Sequence, residues 1–124
     1  TPFCQVWLND NIEEARRPVK ENLALYIGGM GARDKNFYND YAKRMGYEAE
    51  AVAIQDHFLA GRRAEAVAAV PDRLVDEVAL CGPKAKIQER LQDWKKASSR
   101  RHVASLLCGA RDVASLRVLA EAVL

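Results

Sequence analysis

The alternation of short apolar segments with helix signals constrains the fold of this chain more than any other feature. A buried strand is expected within 75–83, which ends at Gly82-Pro83, and a helix follows from Lys84 to Ala97. A second apolar segment, Val103–Cys108, precedes a closing helix, and a third, Phe3–Leu8, opens the chain ahead of another helix. Such repeats form parallel sheets, so we predict an α/β fold of three βα units, with strands near 3–8, 78–81 and 102–108.

The segment between the first two units is predicted to be helical, with short helices separated by single glycines or prolines. Residues 31–75 form this insertion, within a single domain that covers 1–124. Pro18 lies too deep in the preceding helix to be a first-turn proline, so a kink or break is expected near 15–17. Asp34 is expected to cap the next helix.

Two helices are expected to lie on the sheet through apolar faces at helical spacing. The helix after Pro83 would bury Ile87, Leu91 and Trp94. The buried face of the closing helix is predicted to consist of five residues: Val113, Leu116, Leu119, Ala120 and Val123.

Charge and hydropathy exclude two classes of partner. A net charge of +2, with basic residues scattered among acidic ones, argues against nucleic acid. No apolar run approaches the roughly 20 residues that a membrane span needs. Because the chain shows no basic-then-apolar signal segment, a cytoplasmic origin is expected.

Three cysteines, Cys4, Cys81 and Cys108, each fall in one of the predicted strands. An odd count without a C-x-x-C spacing argues against a disulfide framework or a zinc site, so we expect three buried thiols. Only His57 and His102 are available as further ligands, and we therefore predict no metal site.

Candidate functional residues follow the strands, because parallel α/β folds bind ligands at the carboxyl ends of their strands. These residues are Asn9, Asp10, Gly82, Gly109 and Arg111. The glycines would let backbone approach a ligand, and Arg111 would supply a fixed positive charge. A purely structural reading stays open, in which the glycines make tight turns, Asp10 and Asp112 cap helices and Arg111 is solvated.

Several blocks of the insertion then show a family resemblance. They are Leu23-Ala-Leu-Tyr-Ile-Gly-Gly-Met-Gly-Ala32, Lys35-Asn-Phe-Tyr-Asn39 and Arg44-Met-Gly-Tyr47. Together with 55–61, 70–72 and 75–83, in the same order, they resemble the carboxyl-terminal region of luciferase-like monooxygenases. The subgroup that they resemble most depends on the deazaflavin coenzyme F-420.

The resemblance implies a mainly helical part of a TIM-type (β/α)8 barrel, comprising the last three βα units and the insertion before the seventh strand. It also implies hydride transfer or oxygen activation with coenzyme F-420 or FMN, on a small-molecule substrate. Asn9, Asp10, Arg33, Gly82 and Arg111 would then close over substrate or cofactor. Ser98–His102 departs from the small Ala-Gly turn that the family has before its last strand.

The resemblance also implies that the first five strands of the barrel, with a glycine-rich phosphate-binding segment, are not in this sequence. We therefore expect this chain alone to bind neither flavin nor deazaflavin tightly. No nucleophile–base or acid–base pair is evident among its side chains, so its catalytic residues are unknown and it is expected to be inactive alone.

The alternative is a non-catalytic fragment or remnant of the family that persists by self-association. A three-stranded parallel sheet would have two open edges, at the opening and the final strand. Cys4 or Val6, and Val103 or Leu107, would lie in water on the face that a complete barrel fills. A homodimer or larger assembly is therefore predicted, unless the insertion helices cover that face.

Overall fold

The computed structural model describes all 124 residues, as seven helices and a three-stranded sheet. In chain order the elements are β1 (Phe3–Leu8), α1 (Ile12–Gly29), α2 (Phe37–Arg44), α3 (Glu48–Leu59), α4 (Arg63–Ala68), α5 (Asp72–Val78), β2 (Ala79–Gly82), α6 (Lys84–Ser99), β3 (Leu107–Gly109) and α7 (Val113–Val123). The residues form two compact units, which we call the sheet unit (1–17 and 76–124) and the helical unit (18–75). The fold class is therefore α/β with a small parallel sheet, as predicted.

The sheet is parallel throughout, but its strands are ordered β2-β1-β3. Gln5 of β1 pairs with Ala79 of β2 on one side and with Gly109 of β3 on the other. The prediction that the opening strand forms an edge is therefore wrong, because β1 is the central strand and the edges are β2 and β3. This order also differs from that of a barrel, in which successive βα units place successive strands side by side.

The core of the sheet unit lies between one face of the sheet and two helices. Cys4 and Val6 of β1 are each 1% exposed and pack with Leu80, while Ile87 and Leu91 of α6 cover them. The expectation that Cys4 and Val6 lie in water is wrong, since α6 and α7 cover their face. Leu107 is 59% exposed, as expected of that edge, and Val103 is half-buried.

The second strand begins one residue later than the predicted 78–81, and the third is shorter than the predicted 102–108. Residues 75–78 continue α5, and β2 begins only at Ala79, since a short apolar run suits a buried helical turn as well as a strand. β3 begins at Leu107, which pairs with Phe3, the first residue of β1. Residues 103–106 therefore lie beyond the start of β1 and have no ladder partner.

The predicted buried face is confirmed for α6 and is wrong for α7. Ile87 and Leu91 are buried and Trp94 packs against the core, as predicted. On α7 the buried residues are Ser115 and Val118, whereas three of the five predicted ones are more than half exposed: Val113, Leu116 and Val123. The expected face is wrong because α7 is apolar around much of its circumference, so that spacing alone does not choose the side.

In α1, Pro18 does not interrupt the helix. The predicted break near 15–17 is wrong, since Ala15 and Val19 on either side of the proline are buried and hold the turn in place. The division into two units nevertheless falls between Arg17 and Pro18.

In the helical unit, two buried asparagines join the ends of helices. Asn36 caps α2 by accepting from the backbone N–H of Asn39, so the predicted cap at Asp34 is wrong by two residues. Its amide also donates to the carbonyls of Tyr26 and Ile27 in the last turn of α1. The amide of Asn39 donates to Ile27 and, in α3, to Ala51. No helix of the chain combines the length and the apolar character needed to cross a membrane.

Candidate functional site

The carboxyl ends of the three strands point towards one edge of the sheet, because all three run in the same direction. Leu8 pairs with Gly82 at the end of β1 and β2, whereas β3 ends earlier, at Gly109, which pairs with Gln5. Five of the predicted site residues, Asn9, Asp10, Gly82, Gly109 and Arg111, follow or end these strands within the sheet unit. We call this region the carboxyl edge.

Asn9 ties two strand ends together. Its backbone N–H donates to the carbonyl of Gly82 over 3.0 Å, and its side-chain oxygen accepts from the N–H of Asn11. The side chain of Asn11 in turn accepts from Glu13 and Glu14 and caps α1. Asn11, and not Asp10, is therefore the cap of α1.

The structure gives a reason for glycine at both positions of the carboxyl edge, Gly82 and Gly109. Gly82 has a φ of +121°, which strains any other residue. An added Cβ at Gly109 would lie 2.7 Å from Cζ of Phe3, so the aromatic ring requires a glycine beneath it. Phe3 occupies the space beside Gly109, and the approach of a ligand to this glycine stays a prediction.

A cleft of about 440 Å³ opens at this edge beside the first turns of α6 and α7. Eight residues line it: Leu8, Asn9, Asp10, Lys84, Ala114, Arg117, Val118 and Glu121. Lys84 forms an ion pair with Glu121 across the cleft, while Arg117 has no carboxylate partner. Lys84 and Arg117 are functional candidates that the sequence analysis missed, because each is only one of many scattered basic residues until the fold places it.

On the opposite face of the sheet, Arg111 lies over an aromatic ring. Its guanidinium carbon is 4.7 Å from the centre of the Trp7 ring, and the indole N–H of Trp7 donates to the side-chain oxygen of Gln5 over 3.0 Å. Asp112, beside Arg111 in sequence, caps α7 by accepting from the N–H of Ser115, and this hydrogen bond lowers the pKa of Asp112. Trp7 was not among the site residues predicted from the sequence, although its place near the end of a strand was a usable signal.

Arg33 belongs to the helical unit, where it forms an ion pair with Asp56. The structure thus gives Arg33 a partner within its own unit, and its role as a contact to substrate or cofactor stays a prediction.

A second charged cluster of the sheet unit centres on Asp76. Its carboxylate accepts from Arg16, whose side chain is 11% exposed, and from Lys86. Arg90 donates to the backbone carbonyl of Asp76. Burial alone would raise the pKa of Asp76, but the hydrogen bonds from Arg16 and Lys86 outweigh it and lower that pKa. This cluster connects the start of α1, the end of α5 and α6, and we assign it to stability.

The thiols are free and unreactive in character. Burial raises the pKa of Cys4 to about 12 and that of Cys81 to about 11, and it also raises the pKa of Cys108. Nucleophilic cysteines need the opposite shift. No group of three or more His, Cys, Asp or Glu side chains is arranged to hold a metal ion.

Comparison with known proteins places these residues among relatives. The family model described as luciferase-like monooxygenase matches residues 1–101. A protein of Mycobacterium tuberculosis named "Putative coenzyme F420-dependent oxidoreductase" is 36% identical over 94 residues, which are 76% of this chain and 27% of that relative. The alignment thus spans about a quarter of the relative's length. No solved structure matches the chain.

Proposed function

We propose, since the chain belongs to the family of luciferase-like monooxygenases, that it is the carboxyl-terminal part of a flavin- or deazaflavin-dependent oxidoreductase. The proposed reaction is hydride transfer or oxygen activation on a small-molecule substrate, with coenzyme F-420 or FMN as the cofactor. The observation that supports the proposal is the carboxyl edge, towards which three parallel strands point and where Asn9 and Asp10 line a cleft. Ligands of parallel α/β folds bind at such an edge.

The cleft at this edge fits a ligand that carries a phosphate group, as both cofactors do. Arg117 brings a positive charge without a carboxylate partner to its wall, beside the ion pair of Lys84 with Glu121, and Asn9 and Asp10 add hydrogen-bonding oxygens. We propose that Lys84 and Arg117 hold the phosphate, while Asp10 orients a polar group of the cofactor or substrate. The bound cofactor would supply or accept the hydride, and we assign no catalytic side chain to this chain.

A transplant into the relative tests this proposal. The matching segment of the M. tuberculosis protein is replaced by this chain, and consumption of coenzyme F-420 is followed by absorbance. We expect a folded chimaera that turns over the coenzyme, and a Lys84→Gln/Arg117→Gln version with a clearly higher Kd for it, since each lost charge-assisted hydrogen bond weakens binding about tenfold.

The matched control in the chimaera is Arg100→Gln, which removes an exposed charge at the end of α6, away from the cleft. A folded chimaera whose coenzyme affinity is the same with and without Lys84 and Arg117 would contradict the proposed role of the cleft. For the 124-residue chain alone we expect no sub-micromolar binding of F-420 or FMN in a fluorescence titration.

A second candidate function, a self-associating module, is favoured by the exposed face of α7. Val113, Leu116 and Val123 share one stripe of the helix and are 67%, 55% and 57% exposed. Phe3 and Leu107, paired across β1 and β3, are also exposed. Phe3 and Leu107 lie on the sheet face that α7 does not cover, so they form an apolar patch separate from the stripe of α7. Exposed apolar patches mark interaction surfaces, and a symmetric homodimer is the commonest assembly that covers them.

Sedimentation at low micromolar concentration tests self-association. We expect a dimer or larger species for the 13.8 kDa chain, and a shift towards monomer for Leu116→Glu. Arg100→Gln serves as the exposed control outside the stripe. A single monomeric species at this concentration would contradict the homo-oligomer.

The cytoplasm is the proposed compartment. Cys4, Cys81 and Cys108 are all unpaired, and free thiols persist in a reducing environment.

A further inference from the structure

Four arginines of the chain lie over aromatic rings, and Arg111 makes the closest approach, at 4.7 Å against 5.4 Å or more for Arg44, Arg63 and Arg73. Arg16, Arg17, Arg33 and Arg90 form ion pairs with carboxylates. Arg111 instead lies 4.7 Å above the centre of the Trp7 ring, and neighbouring Asp112 is engaged with the N–H of Ser115. Its positive charge is therefore not neutralised by a carboxylate of the chain.

Trp7 is itself fixed in place. It is half-buried near the end of β1, pairs in register with Cys81 of β2, and donates its indole N–H to Gln5, two residues earlier on the same face of the strand. An aromatic face restrains a guanidinium without satisfying its N–H groups, because the attraction is to the π electrons. The stack on Trp7 thus holds Arg111 in position and leaves its five donors for another acceptor.

We propose that Trp7 positions Arg111 at the carboxyl edge to bind an oxyanion, a phosphate or a carboxylate group of the ligand. A planar guanidinium binds both groups through two parallel hydrogen bonds, which is why arginine recognises them better than lysine does. This inference rests on the proposed function of the same edge, but it concerns the sheet face that carries Trp7 and assigns Trp7 a role as a positioning residue. The cleft with Lys84 and Arg117 involves the helix-covered side.

The two tryptophans make the test direct. In the ¹⁵N-labelled 124-residue chain, the indole N–H signals of Trp7 and Trp94 report separately, and Trp94 packs in the core on the other face of the sheet. Inorganic phosphate and acetate are titrated in turn, with the ionic strength held constant by chloride. We expect a saturable shift of the Trp7 signal and of the Arg111 side-chain N–H, with Trp94 unmoved. A stronger response to phosphate or to acetate identifies the type of oxyanion.

Substitutions then separate binding from positioning. Arg111→Gln is expected to weaken the phosphate response about tenfold, and Arg111→Lys by less, whereas Arg100→Gln leaves it unchanged. Trp7→Leu, which removes the aromatic ring beneath Arg111, is expected to weaken phosphate binding at Arg111 about threefold. Trp7→Phe should retain most of the affinity because phenylalanine keeps an aromatic face. A purely structural role of Trp7 would not distinguish Phe from Leu at equal spectral dispersion.

The proposal is overturned if the Trp7 signal does not move, or if it moves equally in Arg111→Gln or with chloride alone. It is also overturned if the folded Trp7→Leu variant binds phosphate as the parent does. Because no cofactor enters this titration, its failure is distinguishable from failure of the chimaera to turn over coenzyme F-420.

Discussion

The sheet unit and the helical unit are stabilised in different ways. In the sheet unit, apolar side chains at fully buried positions such as Val6, Leu80 and Ile87 fill the space between the parallel strands and two helices. In the helical unit, Asn36 and Asn39 are as deeply buried as any apolar residue, at 1% and 0% exposure, and their amides satisfy helix carbonyls. The core cluster of the sheet unit is apolar, with a separate charged cluster around Asp76, whereas the buried residues of the helical unit include amides that need specific hydrogen bonds.

The polar interior of the helical unit is also visible in α2, whose apolar side chains face outward. On α2 the apolar Phe37 and Tyr41 are 65% and 53% exposed, while Asn39 and Ala42 face inward. A buried amide is costly unless its hydrogen bonds are made, so its presence specifies one arrangement of the neighbouring helices. The helical unit should therefore be the more sensitive of the two to single polar substitutions.

The largest expected effect is at Asn39. Asn39→Ala removes two buried hydrogen bonds, to Ile27 over 3.1 Å and to Ala51 over 2.8 Å, and leaves a small cavity. We expect the free energy of unfolding to fall by about 3 kcal/mol, measured by urea denaturation.

Asp40→Ala, at an exposed position of the same helix, is the matched control and should cost under about 0.5 kcal/mol. Equal effects of the two substitutions would show that the buried amide does not hold the helical unit together.

A smaller effect is expected at Gly28, near the end of α1. A Cβ at this position would lie 2.6 Å from Cβ of Phe58 and 3.2 Å from the backbone oxygen of Ile54, so α3 would have to move. Gly28→Ala should destabilise the chain by about 2 kcal/mol. Phe58→Gly removes the Cβ that the new methyl group would meet, so the double variant should lose less than the sum of the two single variants, and a strictly additive pair would contradict the contact.

The sequence predicts the sheet unit better than it predicts the helical unit. Parallel strands, their helices and the burial of Ile87 and Leu91 were predictable, because apolar residues repeat there with a single clear period. The central position of β1 was not, because the order of strands depends on which edges pair and leaves no local signal. In the helical unit the cap moved from Asp34 to Asn36, since both residues cap helices well and only the tertiary contacts of Asn36 decide.

The candidate site shows the same limit. Its strand-end residues Asn9, Gly82 and Arg111 were found from position alone, since parallel strands end together. Lys84 and Arg117 lie on helices and become a pair only when the fold brings them to the cleft. Sequence position therefore finds the edge, and the structure is needed to find what faces it.

A third and smaller effect concerns Asp76, the charged exception within the sheet unit. Asp76→Asn removes the carboxylate that Arg16 and Lys86 share, although Arg16, whose side chain is 11% exposed, keeps its ion pair with Glu13; the substitution should cost about 1–2 kcal/mol near pH 7. The folded pKa of Asp76 lies below the unfolded value of 3.8, so its contribution is present above that value and is lost as pH falls through the folded pKa.

The pH profile of urea denaturation checks this contribution. The difference in unfolding free energy between the parent and Asp76→Asn should shrink below about pH 4. Glu77→Gln, the neighbouring acidic position, is the comparison variant. A difference that stays constant down to the acid limit would contradict the lowered pKa of Asp76.

The smallest expected effect is on the rate at which the cysteines are labelled. This rate tests whether the two units unfold together. All three cysteines lie in the sheet unit, where only Cys108 lines an apolar groove and is half-buried, while Cys4 and Cys81 are buried. Iodoacetamide at pH 8 should therefore label Cys108 first, slowly because its pKa is raised, and the other two only after opening of the sheet unit. Peptide mass mapping measures the order of labelling, with labelling in urea as the control in which all three cysteines react.

If the units open independently, Asn39→Ala should leave the labelling of Cys4 and Cys81 unchanged, because its destabilising effect is confined to the helical unit. If Cys4 and Cys81 instead label faster in that variant, the two units unfold as one. The two units would then differ in the contacts that stabilise them but not in their unfolding.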